Sequence, residues 1–252
     1  PFHLNTAPLF RVVAARLSDG DRLLVVCHHL IADGQSVSIL TDRIIDLARG
    51  TREITASRTD QGLFTYQNGQ LSRPSPETLA RRESFWSENL PRHRIPQLDH
   101  WLLASPHEDA AREFRLTVHR DTAEAVRETA QEAEVSEFTV YLAAFGALLA
   151  HYAGEDQVSF ASPFMDRPHL EMENSIGCFI RTLPVLIDVS PGLRVRDLLE
   201  RTRSEVMGLW RNLDFPVARK LSGLSSAGLF DISFVHDAYP ELPEGVFTTA
   251  HP

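Results

Sequence analysis

Cysteine is scarce in this chain: 252 residues contain only two, Cys27 and Cys178. Two thiols cannot build the multi-bridge framework of a small secreted domain. Both fall in apolar, strand-like stretches, which predicts reduced, buried side chains and a reducing, cytoplasmic setting. Long apolar runs are missing as well. No segment approaches the roughly 18 consecutive apolar residues that span a bilayer, and the N-terminus has no basic region leading into an apolar one. Positive charge is in deficit, with 25 Lys and Arg against 34 Asp and Glu and a net charge of -9. Nucleic acids and anionic membranes reward clustered cations, so neither is an expected partner. Internal repeats and low-complexity tracts are also lacking. What is present is a chain with 43% hydrophobic residues, long enough to bury a sizeable core in one large domain or two smaller ones.

The apolar pattern switches between two periods. Leu9 to Leu17 and Arg22 to Leu30 read as strands joined by the turn Ser18-Asp19-Gly20-Asp21. After Gly34 the period becomes helical, with Val37, Leu40, Ile44 and Leu47 on one face and Gly50 as a stop. Residues 51–76 are polar and irregular, a crossing segment in which Tyr66 is expected to pack, and a charged helix follows over Pro76 to Leu90. The stretch 91–112, punctuated by Pro91, Pro96 and Pro106, reads as a linker between two halves. Beyond it the spacing predicts a strand over Glu113 to His119 and a helix over Thr122 to Glu134. A long apolar helix then runs from the N-cap Ser136 to Gly154. Strands are expected over Gln157 to Ser162, Thr182 to Val189 and Phe230 to Val235, with a helix over Val195 to Asn212. Strands mixed with crossover helices indicate an α/β layered fold. The expected organisation is 1–90, a linker over 91–112, and 113–252.

Where the second strand meets the first helix stands Cys27-His28-His29-Leu30-Ile31-Ala32-Asp33-Gly34. If the strand persists, its alternation sends His28 and His29 to opposite faces. His29, nearest the turn, is then the candidate for chemistry, because strand ends open onto loops where a substrate can approach. A neutral imidazole can hydrogen-bond a nucleophile or accept its proton. Asp33 suits a supporting role, accepting backbone N–H groups or pairing with a cation, and Gly34 allows close approach of a ligand to the main chain. The spacing alone fits a pair of core histidines before an ordinary helix equally well. A metal site is not expected, since the two rings diverge and no further ligand lies nearby. A serine hydrolase is not expected either, since no G-x-S-x-G elbow occurs.

The heptad from His28 to Gly34 resembles the HHxxxDG signature of the condensation domains of nonribosomal peptide synthetases, and six further stretches agree in order. Pro8 to Val12 is similar to the strand preceding the signature, and Phe85-Trp86-Ser87-Glu88-Asn89-Leu90 to the family's Y-W-x-x-x-L helix. Ser136 to Tyr152 is similar to its long L-x-A-F-x-x-L-L helix, and Ile176 to Leu183 to IGxFxNTL. Asp214-Phe215-Pro216-Val217 and Phe230 to Val235 resemble the D-x-P-F segment and the strand after it. The resemblance implies a chloramphenicol acetyltransferase-like, two-lobed, V-shaped α/β fold with a tunnel between the lobes. It further implies that this chain lacks the N-terminal and C-terminal parts of the domain. By that comparison the segment alone is expected not to be a stable active enzyme, and Asp33 is expected to lack the Arg that pairs with it.

The implied activity is acyl transfer. An acceptor amine, less often a hydroxyl, attacks a donor acyl or peptidyl thioester and displaces the thiol of the donor carrier. Donor and acceptor peptidyl carrier proteins and adjacent synthetase domains would be the partners. No cofactor would be bound by the domain itself, since the carriers deliver phosphopantetheine thioesters. The resemblance makes His29 catalytic and gives His28, Asp33 and Gly34 supporting places. Departures from the family pattern add Gln35, which replaces the usual bulky aromatic, and Arg181, which stands for Asn on the loop taken to floor the tunnel beyond Gly177. Two other functions share part of the pattern. One is a coenzyme A-dependent acyltransferase with a soluble acceptor, although the DFGWG motif of its plant members is absent. The other is a non-catalytic relative that recruits partners, although such relatives generally lose the second His or the Gly.

Overall fold

The computed structural model describes residues 2–18, 20–51, 68, 75–96, 114–167, 170–213 and 231–236. Tyr66 and the segment Asp214 to Val217 lie outside them. The described residues before 73 form one compact unit with 165–180, and those from 75 to 164 and from 181 to 236 form a second.

The first unit opens with the hairpin β1 (Phe10–Leu17) and β2 (Gly20–Cys27), antiparallel and paired from Phe10 with Cys27 to Leu17 with Gly20. Each strand holds a run of four apolar residues, Val12 to Ala15 and Leu23 to Val26, yet neither face is buried: Val12, Val13, Leu23 and Leu24 are all more than half exposed. Helix α1 (Gly34–Ala48) follows, with Val37, Leu40 and Ile44 half-buried and Leu47 exposed. One further stretch, 165–180, completes the described part of this unit.

The second unit contains α2 (Pro76–Asn89), α3 (Arg120–Glu132), α4 (Glu137–Ala153), nearly all of the paired strands β3 (Gln157–Met165) and β4 (Ile180–Asp188), and α5 (Val195–Trp210). Ser136 caps α4 by accepting the Thr139 N–H, and Gly154 closes it in the left-handed conformation at φ 68°. Both caps fall where the sequence predicts them. Phe160, Val185, Leu142, Leu209 and Trp86 meet in a core from which water is excluded. Gly146 lets α4 approach β4 closely, because a Cβ there would lie 2.6 Å from Ile187. No single helix among the described residues is long and apolar enough to cross a membrane.

Several expectations are corrected. Helix α2 belongs to the second unit, not to a lobe spanning 1–90, because fully buried Trp86 fills its core and donates its indole N–H to the Asn212 carbonyl at 3.3 Å. Residues 114–119 form no strand: their Phe-x-Leu-x-Val alternation is present, but no strand pairs with them among the described residues, and Phe114 and Leu116 are 85% and 94% exposed. Alternation supplies a two-faced strip, and only a neighbouring strand can satisfy its backbone. Residues 231–235 likewise contribute a single parallel bridge, Ser233 to Ala161, flanked by bonds from Ala161 N–H to the Ile232 carbonyl and from Phe234 N–H to the Ala161 carbonyl. Cys178 is exposed rather than buried, because it stands in the turn-rich stretch before β4 instead of inside a strand; Cys27 is half-buried, and burial pushes its thiol up.

Candidate functional site

The HHxxxDG heptad begins one residue after β2 ends. His28 adds a last rung to the hairpin, its N–H donating to the Leu9 carbonyl at 2.9 Å, and then the chain turns over residues 29–31. The strand therefore stops before the two histidines, and strand alternation does not set their directions. A turn does. The ring of His28 is half-buried, accepts the Leu30 N–H at Nδ1 (3.1 Å) and stands edge-on to Phe2 at 5.9 Å. His29 is exposed, and among the described residues its ring has no hydrogen-bond or ring partner.

Asp33 is the N-cap of α1 and is 1% exposed. Its Oδ1 accepts the Ser36 N–H at 2.8 Å, which satisfies one of the free donors of the first turn. Its Oδ2 accepts the Phe179 N–H at 3.0 Å, while its own N–H donates to the Gly177 carbonyl at 3.1 Å. A buried carboxylate also needs a countercharge. Arg167 provides it, with Nη2 at 3.0 Å from Oδ1 and 3.2 Å from Oδ2 and a side chain only 5% exposed. The expectation that Asp33 lacks an arginine within this chain is thereby overturned. Arg167 was missed as a site residue; the available signal was its place two residues after the run 157–165, but charge alone could not say which carboxylate it meets.

Ser36, fully buried, ties the same elements together. Its hydroxyl lies 2.7 Å from Asp33 Oδ1 and 2.8 Å from the Gly177 carbonyl, and it accepts the Gly177 N–H at 3.0 Å and Arg167 Nη2 at 3.1 Å. Gly177 is at this crossing because any Cβ would lie 2.7 Å from the ring of Phe179. That ring in turn lies under the Arg167 guanidinium, 4.3 Å from its centroid. The result is one interlocked cluster made of Asp33, Ser36, Arg167, Gly177 and Phe179.

The other expected site residues take different places. Gly34 is exposed, and a Cβ there would meet nothing within 4 Å, so the start of α1 is open beside the His29 turn. Gln35 donates its side-chain amide to the Glu173 carbonyl at 3.1 Å. Arg181 does not lie on the loop over 166–179; it is the second residue of β4, in the other unit, because the ladder with β3 already begins at Ile180. Among the described residues no group of His, Cys, Asp and Glu could hold a metal ion.

Comparisons with known proteins agree on one family. The condensation-domain family matches residues 1–249. Over 250 residues the chain is 29% identical to tyrocidine synthase 3 of Brevibacillus parabrevis, covering 93% of this chain and 4% of that protein. It is 28% identical to phosphinothricin tripeptide synthetase of Streptomyces viridochromogenes, covering 93% of this chain and 23% of the relative. Its structure is similar to the first condensation domain of the CDA synthetase, with a TM-score of 0.70 and 19% identity over 95% of this chain and 54% of that one. The chain thus spans about half of the solved domain and a small share of the synthetases it matches.

Proposed function

The chain belongs to the condensation-domain family and has its α/β fold, and we propose that His29 serves carrier-dependent acyl transfer in nonribosomal peptide synthesis. The acceptor amine nitrogen attacks the carbonyl carbon of the donor thioester, the C–N bond forms, the C–S bond breaks, and the amine proton ends on the departing thiol of the donor carrier. One observation carries this reading: the exposed imidazole of His29 is uncommitted among the described residues, four positions from a carboxylate that is wholly committed to structure.

Amine attack on a thioester is downhill, so orientation of the nucleophile is the main demand, with proton acceptance beside it. His29 suits both, because an imidazole can accept from N–H near neutral pH. Asp33 does not act as a base, since both of its oxygens are occupied by Ser36, Phe179 and Arg167. It holds the first turn of α1, and His28 holds the turn before it. The open start of α1 at Gly34 leaves room for the reacting carbonyl, and the positive end of the helix favours the charge that develops on its oxygen. The partners in this reading are a donor and an acceptor carrier protein, each presenting a phosphopantetheine thioester as substrate.

The test is mass spectrometry of carrier-bound products after donor and acceptor carriers are loaded and the protein is added. His29→Ala is expected to lower product formation at least about a hundredfold. Equal yields from both proteins would overturn the role of His29. Turnover of free coenzyme A thioesters without carriers would move the chain to the coenzyme A-dependent class.

A further inference from the structure

The stretch 172–177 hands its backbone carbonyls to side chains almost one after another. Arg167 Nη1 donates to the carbonyls of Met172 (2.6 Å) and Ser175 (2.9 Å), Gln35 Nε2 to Glu173 (3.1 Å), Arg43 Nη2 to Asn174 (2.7 Å), and the Ser36 hydroxyl lies on Gly177. Arg167 and Ser36 also hold Asp33, so they belong to the cluster already described. Gln35 and Arg43 are different. They stand two turns apart on α1 and reach adjacent carbonyls of one loop, and neither touches Asp33. Gln35 follows Gly34 directly, so its hold on Glu173 is at the end of the helix where the His29 turn enters.

We propose that Gln35 and Arg43 are positioning residues, a two-point clamp that sets residues 172–175 as a wall beside the His29 end of α1 and so orients the reacting groups. The proposal rests on the acyl-transfer reading of that end. A strand receives its bonds from a ladder, whereas this loop depends on donors from elsewhere, and each donor removed lets it open locally. Both bonds are at the rim, where water can replace a lost donor, so the expected effect is a loosening and not a collapse. Misplacement of a wall near a reacting centre lowers turnover without changing how tightly distant carrier surfaces dock.

Hydrogen exchange on the full chain, without carriers, reads the clamp; carrier-dependent kinetics read its consequence. In Gln35→Leu and in Arg43→Met, exchange of the amides of 172–178 is expected to rise about threefold to tenfold while the rest of the chain is unchanged. The kcat is expected to fall by a similar factor with KM for both carriers held, and Arg43→Lys, which keeps a cationic donor, is expected to restore most of both. Unchanged exchange in both folded variants overturns the clamp. Faster exchange with unchanged kcat, in a protein that His29→Ala inactivates, overturns the positioning role. If His29→Ala leaves product formation intact, the role of His29 at that end of α1 fails, and the positioning role falls with it while exchange still reports whether the clamp exists.

Discussion

Four residues separate His29 from Asp33, and the structure treats them in opposite ways. Asp33 is 1% exposed and receives donors from Ser36, Phe179 and Arg167, whereas His29 is exposed and its ring has no partner among the described residues. A carboxylate taken out of water is costly unless it is paired and hydrogen-bonded, so the residues around Asp33 are committed to keeping it there. An imidazole ring exposed to water carries no such cost. One heptad thus has two unlike ends: the aspartate end holds the start of a helix, and the histidine end is open for the proposed chemistry.

The sharpest way to break this comparison is to strip Asp33 of its countercharge. Arg167→Met is expected to lower the unfolding free energy by about 3–5 kcal/mol, because the carboxylate stays buried and unpaired. The urea midpoint measures it, and adding Asp33→Asn is expected to recover part of the loss. An unmoved midpoint would mean that the pair is not holding the fold.

A second histidine gives an internal contrast of somewhat smaller size. His93 packs against β3, with Nδ1 3.0 Å from Ser159 Oγ and no partner at Nε2 among the described residues. Burial, then the charges of Arg92 and Arg94, lowers its pKa from 6.5 to about 4. The unfolded chain therefore takes up this proton first. The stability His93 contributes as a neutral ring is whole above about pH 6.5 and is lost as the pH falls toward 4, by about 3 kcal/mol at the acid end. Denaturation curves across that window are expected to be flatter in pH for His93→Gln, and an identical slope would contradict the burial of a neutral ring.

The smallest stability effect is expected at the residue with the largest effect on activity. His29→Ala should move the unfolding free energy by less than about 0.5 kcal/mol, as for other exposed substitutions. A loss comparable to that of Arg167→Met would erase the difference between the two ends of the heptad.

How much of this was legible in the sequence depended on the range of the interaction. The hairpin follows from a turn and two apolar runs, and α4 from Ser136, an apolar repeat and Gly154, all within a few residues of one another. The strand expected over 113–119 failed because alternation is a property of one segment while a ladder needs two. Arg181 was assigned to a loop by the resemblance, where it stands for the family's Asn, yet β4 has begun by Ile180. Gly177 was legible as special, but the reason, a ring 2.7 Å from where its Cβ would be, required coordinates.

By itself the sequence determined the hairpin, the capped helix α4, a supporting place for Asp33 and the family, because each rests on residues adjacent in the chain or on motifs in order. Only the tertiary structure decided that Asp33 is neutralised from 134 positions away by Arg167, that α2 serves the second unit, and which carbonyls Gln35 and Arg43 hold. Those outcomes depend on which distant groups burial forces together, since a charge or a carbonyl removed from water must find its partner wherever the fold supplies one.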